Sequence, residues 1–263
     1  MTAIGMIESL WRYPVKSMRG EELGEAFMGF SGFYGDRCYA IKNSAARKGF
    51  PYLNATAQPQ MLRYRPQFRL PERAAKPPNL LEAMSIAPGV TPANGEANDM
   101  LLDVMTPSGA VVGIDDPALL QMLGEGLRGE NRLSLVRSDR ALTDCRPVSL
   151  ISLQTVQYIA AELDFPVDKR RFRANIYFDL SSGEGFAEDK LIGRKLRVGA
   201  SAEMMVLERD PRCKMISLDP GTGEHNPEIL RHVAKAHAAC AGVYCAVLVE
   251  GLLKPGDSIE LLE

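Results

Sequence analysis

The chain has 263 residues, 46% of them apolar and 24% charged, which are the proportions of an ordinary globular protein of one large or two small domains. Its 31 basic and 33 acidic residues leave a formal charge of −2, so no global field favours nucleic acid or an anionic membrane. We therefore expect neither nucleic acid nor a membrane as a partner. The start also lacks a signal peptide, and no uncharged apolar run approaches the length of a membrane-spanning helix.

The first half of the chain reads mainly as strands. Short extended segments punctuated by glycines predict β structure, as at 4–13 and 37–42. Prolines are frequent and large apolar residues few over 71–98, which predicts a long surface excursion between strands. Two paired strands are predicted next, at 100–104 and 110–114, on either side of a Pro-Ser-Gly turn.

Capping residues mark three helices. Asp116 precedes a proline at a favoured first-turn position, and Ser149 or Ser152 precedes apolar residues at helical spacing. Asn226 precedes a proline and an acid, which predicts a third helix start. Further strands are predicted at 133–136, 176–178, 195–198, 204–207, 244–250 and 258–262.

These elements predict a fold that is mostly β with a few helices (α+β), arranged as barrels. The weakly patterned stretch 124–131 separates the two halves. We therefore expect two domains, at 1–125 and 126–263.

Cys213 is the most informative cysteine. Three cations lie within five positions of the chain, at Arg209, Arg212 and Lys214, and they favour the thiolate that binds a metal or attacks a substrate. A lone cysteine is more often an inert small apolar residue, so local charge alone does not decide between the two. The five cysteines are odd in number and sparse, which predicts reduced thiols and a cytoplasmic protein.

The densest basic run, 169–175, is the second candidate site. Such a run is usually a solvated face, but Arg173 and Asn175 enter a predicted strand two residues apart and should share one face. That pair suits a phosphate and a heteroaromatic edge. Lys16 and Ser17 lie in a turn that can also seat a phosphate.

Other classes of site are excluded. The chain has no P-loop, and its one Gly-rich stretch does not lead from a strand into a helix. His232 and His237 are five residues apart and should diverge around a helix, so we expect the histidines at the surface. The cysteine spacing does not fit an iron–sulfur cluster.

The motifs occur in a fixed order along the chain. They are Tyr13-Pro14-Val15-Lys16-Ser17, Gly35-Asp36-Arg37, Phe172-Arg173-x-Asn175-Ile176, Phe186-Ala187-Glu188-Asp189, Arg212-Cys213, Asp219-Pro220-x-Thr222-Gly223, and Tyr244 before Gly256-Asp257. At this spacing they resemble the MOSC family, whose domain ends the molybdenum cofactor sulfurases. In the amidoxime-reducing members a MOSC N-terminal β-barrel domain precedes it, so the resemblance implies an N-terminal β-barrel-like domain followed by a MOSC β-barrel domain.

The resemblance also implies a cofactor and its ligands. Cys213 would bind the metal of the molybdenum cofactor (Mo-molybdopterin), and Tyr244 and Asp189 are the other candidate catalytic residues. The cofactor-binding residues would be Lys16, Ser17, Arg37, Arg173, Asn175, Arg212, Cys213 and Tyr244. The chain departs from the family at Pro211, where relatives have serine, and at Cys145-Arg146, which replaces small polar residues.

By the same resemblance, the chain is expected to reduce small N-hydroxylated substrates: amidoximes, hydroxylamines or N-hydroxylated bases. Electrons would come from a separate ferredoxin- or cytochrome b5-like protein with a flavin reductase, since we expect no iron–sulfur cluster in this chain. The alternative is a non-catalytic molybdenum cofactor carrier, or a sulfur-carrier or sulfur-transfer protein that uses Cys213 as a nucleophile.

Overall fold

The structure is a computed structural model that describes residues 2–86, 91–93, 95–181 and 183–262. Its strands are β1 (Thr2–Arg12), β2 (Glu21–Leu23), β3 (Ala26–Gly29), β4 (Gly32–Phe33), β5 (Tyr39–Asn43), β6 (Arg65–Phe68), β7 (Leu102–Met105), β8 (Val111–Gly113), β9 (Leu133–Arg137), β10 (Val148–Ser152), β11 (Ile176–Leu180), β12 (Lys195–Val198), β13 (Ala202–Pro211), β14 (Cys240–Val249), β15 (Gly251–Leu253) and β16 (Ser258–Leu262). The α-helices are α1 (Pro71–Ala75), α2 (Leu80–Ile86), α3 (Pro117–Gly124), α4 (Leu153–Leu163) and α5 (Pro227–Ala236). The predicted fold class, mostly β with a few helices, is confirmed.

Seven strands close into a barrel. Hydrogen bonds join β11, β10, β14, β13, β12, β16 and β1 in this order, and β1 pairs with β11 to complete the ring. Successive side chains of a strand point to opposite faces, which is why Met204 and Val206 of β13 are both fully buried in the barrel core while Met205 between them is not.

Smaller sheets surround a second core. They have the orders β15-β3-β4, β5-β9 and β6-β7-β8, and their shared cluster includes Ile41, Met61 and Leu102. A third cluster lies under α4 and α5, with Ile159 and Val233 at its centre.

Three strands of the first half, β1, β3 and β5, pair across the boundary predicted between residues 125 and 126, and β3 does so with β15. β1 belongs to the barrel that is otherwise built from later strands, and β9 pairs with β5 of the first half. The boundary stays a prediction, but the two halves share strands.

The excursion predicted over 71–98 contains more regular structure than expected. It does lie between two strands, β6 and β7, but α1 and α2 form within it and bury Ala74 and Leu80 in the second core. Residues 87–90 and 94 of this segment lie outside the described residues.

The three predicted helix caps are confirmed. Side-chain oxygens accept the backbone N–H of Ala118 at Asp116 (2.8 Å), of Thr155 at Ser152 (3.0 Å) and of Glu228 at Asn226 (3.1 Å). Within the described ranges, no helix combines the length and apolar character needed to cross a membrane.

Candidate functional site

The turn after β1 buries a lysine. Lys16 is 6% exposed, and its Nζ donates to the Leu142 carbonyl (2.9 Å) and pairs with the Asp144 carboxylate. Burial lowers the pKa of Lys16, and Asp144 opposes that shift. Lys16 therefore lies in a turn, as the sequence predicts, but its side chain is buried.

Asp36 joins this turn to two other segments. Its carboxylate accepts hydrogen bonds from the Tyr13 amide (2.8 Å) and from Asn175 Nδ2 (3.0 Å), and it pairs with Arg37. Arg37 also donates to the carbonyl of Arg173 (3.0 Å). Arg37 is therefore held by two contacts with the chain, one to Asp36 and one to Arg173.

The backbone around Arg173 and Asn175 differs from the predicted strand. Arg173 follows a 3₁₀ helix, Lys169–Phe172, and has a left-handed backbone (φ 52°). Arg173 and Asn175 are therefore not two positions on one face of a strand, as the sequence predicted. Arg173 donates to the Met18 carbonyl (2.9 Å), and the Asn175 amide contacts Asp36. Burial lowers the pKa of Arg173 to about 10.

The ring of Tyr13 lies beneath two guanidinium groups. The Cζ atoms of Arg37 and Arg173 are 4.7 Å and 4.2 Å from its centroid. The aromatic face partly compensates the loss of hydration of these cations. Tyr13 is nearly inaccessible to solvent, and sequence reasoning gave it no role beyond membership of its motif.

Backbone strain is concentrated at the predicted residues. Seven non-glycine residues of the described chain have left-handed backbones, and three of them are Ser17 (φ 68°), Arg37 (φ 45°) and Arg173. Left-handed residues other than glycine cluster at functional sites, where the side chain is required despite the strain.

Arg212 precedes Cys213 in a loop, here called the cysteine loop, and contacts three other segments of the site. Its guanidinium pairs with Asp210 (2.7 Å) and donates to the carbonyls of Phe172 (2.7 Å) and Ala241 (2.7 Å). The bond to Phe172 joins the cysteine loop to the residue before Arg173. Cys213 itself is exposed and lies at the N-cap of the 3₁₀ helix Lys214–Ser217, where its thiol makes no capping bond.

Tyr244 lies beside Asp210. Ser149 and Tyr244 face each other across β10 and β14, and both hydrogen-bond to the Asp210 carboxylate. Burial and the neighbouring Asp210 charge raise the pKa of Tyr244, so its phenol stays protonated at neutral pH and acts as a hydrogen-bond donor.

Asp189 lies in another depression, lined by Tyr158, Phe186, Arg209 and His237. It pairs with Arg209 Nε (2.9 Å), and burial raises its pKa although Arg209 opposes the shift. Its charged neighbours are Arg209 and His237, and neither is a predicted cofactor-binding residue. Its neighbour Glu188 is fully buried and accepts the hydroxyls of Ser152 and Thr155, a structural arrangement.

The structure thus brings most of the predicted cofactor residues together. Four cations, Lys16, Arg37, Arg173 and Arg212, come from three distant parts of the chain and face three carboxylates, Asp36, Asp144 and Asp210. With all groups ionised, this set carries a net charge of +1. Sequence reasoning missed the part played by the carboxylates, although Asp36 and Asp210 each adjoin or flank a predicted arginine.

The histidine prediction is wrong in its geometry. His232 and His237 do not diverge, because α5 ends before His237, and both rings contact Glu162. Sequence spacing on a continuous helix could not reveal this contact.

Comparisons with known proteins identify the two halves. The profile of the MOSC domain matches residues 137–260, and that of the MOSC N-terminal beta barrel domain matches residues 4–88. The molybdenum cofactor sulfurases of Drosophila pseudoobscura pseudoobscura and Drosophila persimilis are each 34% identical over 110 residues, 42% of this chain. The aligned region spans only 12% of the length of those curated relatives.

Solved structures give more distant likenesses. The YUAD protein from Bacillus subtilis is 12% identical with a TM-score of 0.47, covering 98% of this chain and 94% of that one. YiiM from Geobacillus stearothermophilus is 19% identical with a TM-score of 0.36, covering 45% of this chain and 55% of that one. Because the two profiles together match most of the chain, it belongs to the MOSC-domain proteins that carry a MOSC N-terminal β-barrel domain.

Proposed function

We propose that this chain binds the molybdenum cofactor and reduces N-hydroxylated compounds, such as amidoximes, hydroxylamines or N-hydroxylated bases. Membership of the MOSC family supports a role related to this cofactor, as do the relatives named molybdenum cofactor sulfurase. The reduction step and its substrates are our inference from the motifs that resemble the amidoxime-reducing members.

The observation that carries the proposal is the meeting of three largely buried cations. Arg37 and Arg173 lie over the ring of Tyr13, and Arg37 pairs with the buried Asp36. Burial and the charges of both arginines lower the pKa of Lys16. Burial lowers the pKa of Arg173 to about 10, so a charged guanidinium is held there against its desolvation cost. A phosphate group would neutralise the excess positive charge and accept the remaining donors. The residues present therefore fit the phosphate end of the cofactor.

The other end of the cofactor would meet the cysteine loop. Cys213 offers an exposed soft sulfur ligand, and Arg212 fixes the loop to the residue preceding Arg173. When bound, the cofactor supplies the two-electron redox chemistry of molybdenum. Cys213 would hold the metal, while Lys16, Ser17, Arg37, Arg173, Asn175 and Arg212 would hold the pterin and its phosphate.

The chain's own contribution is orientation and charge. Tyr244, protonated and anchored on Asp210, would orient a polar group near the site by donating a hydrogen bond. Asp189 would act as a proton donor only if the substrate extended from Cys213 into the depression that holds Arg209.

Electrons would come from a separate protein of the ferredoxin or cytochrome b5 kind, together with a flavin reductase. This part of the proposal is tested by supplying each donor in turn to the loaded protein and following substrate reduction driven by a nicotinamide cofactor.

A carrier or sulfur-transfer role is the second candidate. The observation that favours it is the exposure of Cys213 at the surface, where another protein's sulfur centre can reach it. In that case the chain would bind the cofactor or a persulfide without turnover.

The decisive experiment measures molybdenum content and dithionite-driven amidoxime reduction on the same samples, expressed in cofactor-competent cells. Wild type is expected to hold near-stoichiometric molybdenum and to be active, and Cys213→Ser to lose activity. Cys145→Ser is the matched control, because Cys145 is also an exposed thiol. Molybdenum without activity would favour the carrier, and wild type without molybdenum would overturn both cofactor-binding roles, the reductase and the cofactor carrier.

A further inference from the structure

Two histidines and one glutamate meet where the end of α4 approaches α5. Glu162 Oε2 is 2.8 Å from His232 Nε2 and 2.6 Å from His237 Nε2. One ligand atom from each residue lies within 4.8 Å of the other two. The proposed molybdenum chemistry does not use this cluster.

The ring of His237 is held in place by groups outside the cluster. It stacks on Phe186 with centroids 3.9 Å apart and an interplanar angle of 15°. Its amide donates to the Val233 carbonyl (3.0 Å), and its own carbonyl accepts from Arg209 Nη2 (3.1 Å). The position of this imidazole is therefore set before any ligand binds.

The helix ends also explain why the two histidines meet. Ala238 and Ala239 follow with φ of 53° and 58°, so the chain leaves the α5 direction as soon as His237 has capped the helix. His232 remains on the helix and faces α4. Both Nε2 atoms consequently approach the same carboxylate oxygen.

The spacing of these atoms is close to that of a metal site. Ligands of a tetrahedral zinc ion, about 2.0–2.2 Å from the metal, are about 3.3 Å apart. The two nitrogen–oxygen distances would have to lengthen by roughly 0.5–0.7 Å to admit the ion, which small side-chain rotations achieve. Two imidazoles and a carboxylate form the ligand set of many zinc sites that retain water in the fourth position.

The position of the Glu162 charge also favours a bound cation. Glu162 lies in the last turn of α4, where the helix dipole disfavours a negative charge. A divalent cation would reverse this unfavourable interaction and satisfy both imidazoles as neutral ligands.

We propose that Glu162, His232 and His237 bind a divalent transition-metal ion of the zinc class, which clamps the end of α4 to α5. None of the ligands of this site belongs to the cofactor cluster, although His237 also lines the depression that holds Asp189. Its ion would be retained by a protein that carries no molybdenum.

The test is zinc binding to chelator-treated full-length protein, measured by competition with a chromophoric chelator at pH 7.5. Wild type is expected to bind one Zn²⁺ per chain, and His232→Gln, His237→Gln and Glu162→Gln each to weaken binding by at least about 100-fold, as expected for removal of a ligand. His225→Gln is the matched control, because His225 is the third, exposed histidine and lies outside the cluster. Its affinity should equal that of wild type.

Cobalt identifies the ligand atoms. Co²⁺ added to the treated protein should give visible ligand-field bands without the intense near-ultraviolet absorption of thiolate ligation, and these bands should be lost in His237→Gln. The proposal is overturned if wild type binds no zinc, if the three variants bind it as tightly as wild type, or if cobalt shows thiolate ligation. Circular dichroism of each variant separates a lost ligand from a lost fold, and Glu162→Gln, which changes only one side-chain atom, keeps both histidines for comparison.

Discussion

At the scale of single residues, Asp36 connects segments that are far apart in the chain. It is 2% exposed and binds Tyr13, Asn175 and Arg37. Asp36→Asn is expected to destabilise the protein by about 3 kcal/mol, because it leaves the largely buried charge of Arg37 without its partner. Urea unfolding followed by circular dichroism measures this loss.

The control for Asp36→Asn is a change in a solvent-exposed ion pair. Arg69 and Asp103 are 2.7 Å apart, with 37% and 42% of their side chains exposed. Asp103→Asn should change stability by less than about 0.5 kcal/mol. Equal losses in the two variants would mean that burial does not decide the strength of the Asp36 contacts.

We expect the Arg173 side chain to lower the free energy of unfolding of the cofactor-free protein. A pKa lowered from 12.5 to about 10 by burial corresponds to about 3 kcal/mol of unfavourable charge burial. This shift already includes the favourable interaction with Tyr13, and the bond to Met18 offsets about 1 kcal/mol of the remaining cost. Arg173→Asn, whose side chain tolerates the left-handed backbone, should therefore stabilise the cofactor-free protein by about 2 kcal/mol while it weakens cofactor binding.

The pH range of this effect follows from the direction of the pKa shift. The folded pKa of Arg173 lies below its unfolded value, so the penalty is fully present below about pH 10 and fades as pH rises from 10 towards 12.5. Thermal unfolding of both proteins at pH 7 and pH 8 should consequently give the same difference. A less stable Arg173→Asn would show that the arginine is stabilised without a ligand.

The sequence predicts the members of the site better than their geometry. The resemblance identified Arg37, Arg173 and Asn175. Arg37 and Asn175 do contact Asp36, and Arg37 also bonds to the carbonyl of Arg173. The strand alternation that we used to pair Arg173 with Asn175 is absent, because both residues lie between a 3₁₀ helix that ends at Phe172 and the start of β11 at Ile176. Local pattern cannot show a contact between residues 136 positions apart, such as that of Arg37 with Arg173.

At the scale of elements, the caps of α4 and α5 differ in what they join. The Ser152 side chain accepts from the Thr155 amide and also donates to buried Glu188 (2.8 Å), whereas the Asn226 side chain caps its helix by accepting from the amide of exposed Glu228. Ser152→Ala should cost about 2–3 kcal/mol, and Asn226→Ala about 1 kcal/mol. Differential scanning calorimetry measures both, and a larger loss in Asn226→Ala would contradict the role given to Glu188.

The caps could be predicted because their signal is local. Asn226 is followed by a proline and an acid, and the helix begins there as expected. The helices α1 and α2 were missed because they are short and bracketed by prolines, so contacts with the second core decide their formation. The same limit hid the meeting of His232 and His237, which depends on where α5 ends.

At the scale of the whole molecule, closure of the barrel depends on one glycine of β1. A Cβ at Gly5 would lie 2.3 Å from the Asp179 carbonyl oxygen of β11, the strand on which β1 closes the ring. Gly5→Ala should destabilise the protein by about 2–3 kcal/mol, because backbone must move to relieve the clash. Gly24→Ala is the control, since its Cβ would meet nothing within 4 Å and should change stability by less than about 1 kcal/mol.

Chemical unfolding of both alanine variants tests this idea. Equal midpoints would indicate that β1 can shift along β11 without loss. The glycine-punctuated extended segment at 4–13 predicted a strand, but the two barrel partners of β1, β11 and β16, lie more than 160 residues later, and no periodicity identifies a partner at that distance.

The position of β1 in the barrel has a consequence for the order of events in synthesis. β1 precedes β11 and β16, its two neighbours in the barrel, by more than 160 residues, and β16 is made after every other described strand. The barrel therefore cannot close before β16 has been made, and the edge of β1 that pairs with β16 stays open until then. Since the ring of Tyr13, directly after β1, lies beneath Arg173, an anion can be held between these two residues only after the chain has grown past residue 173.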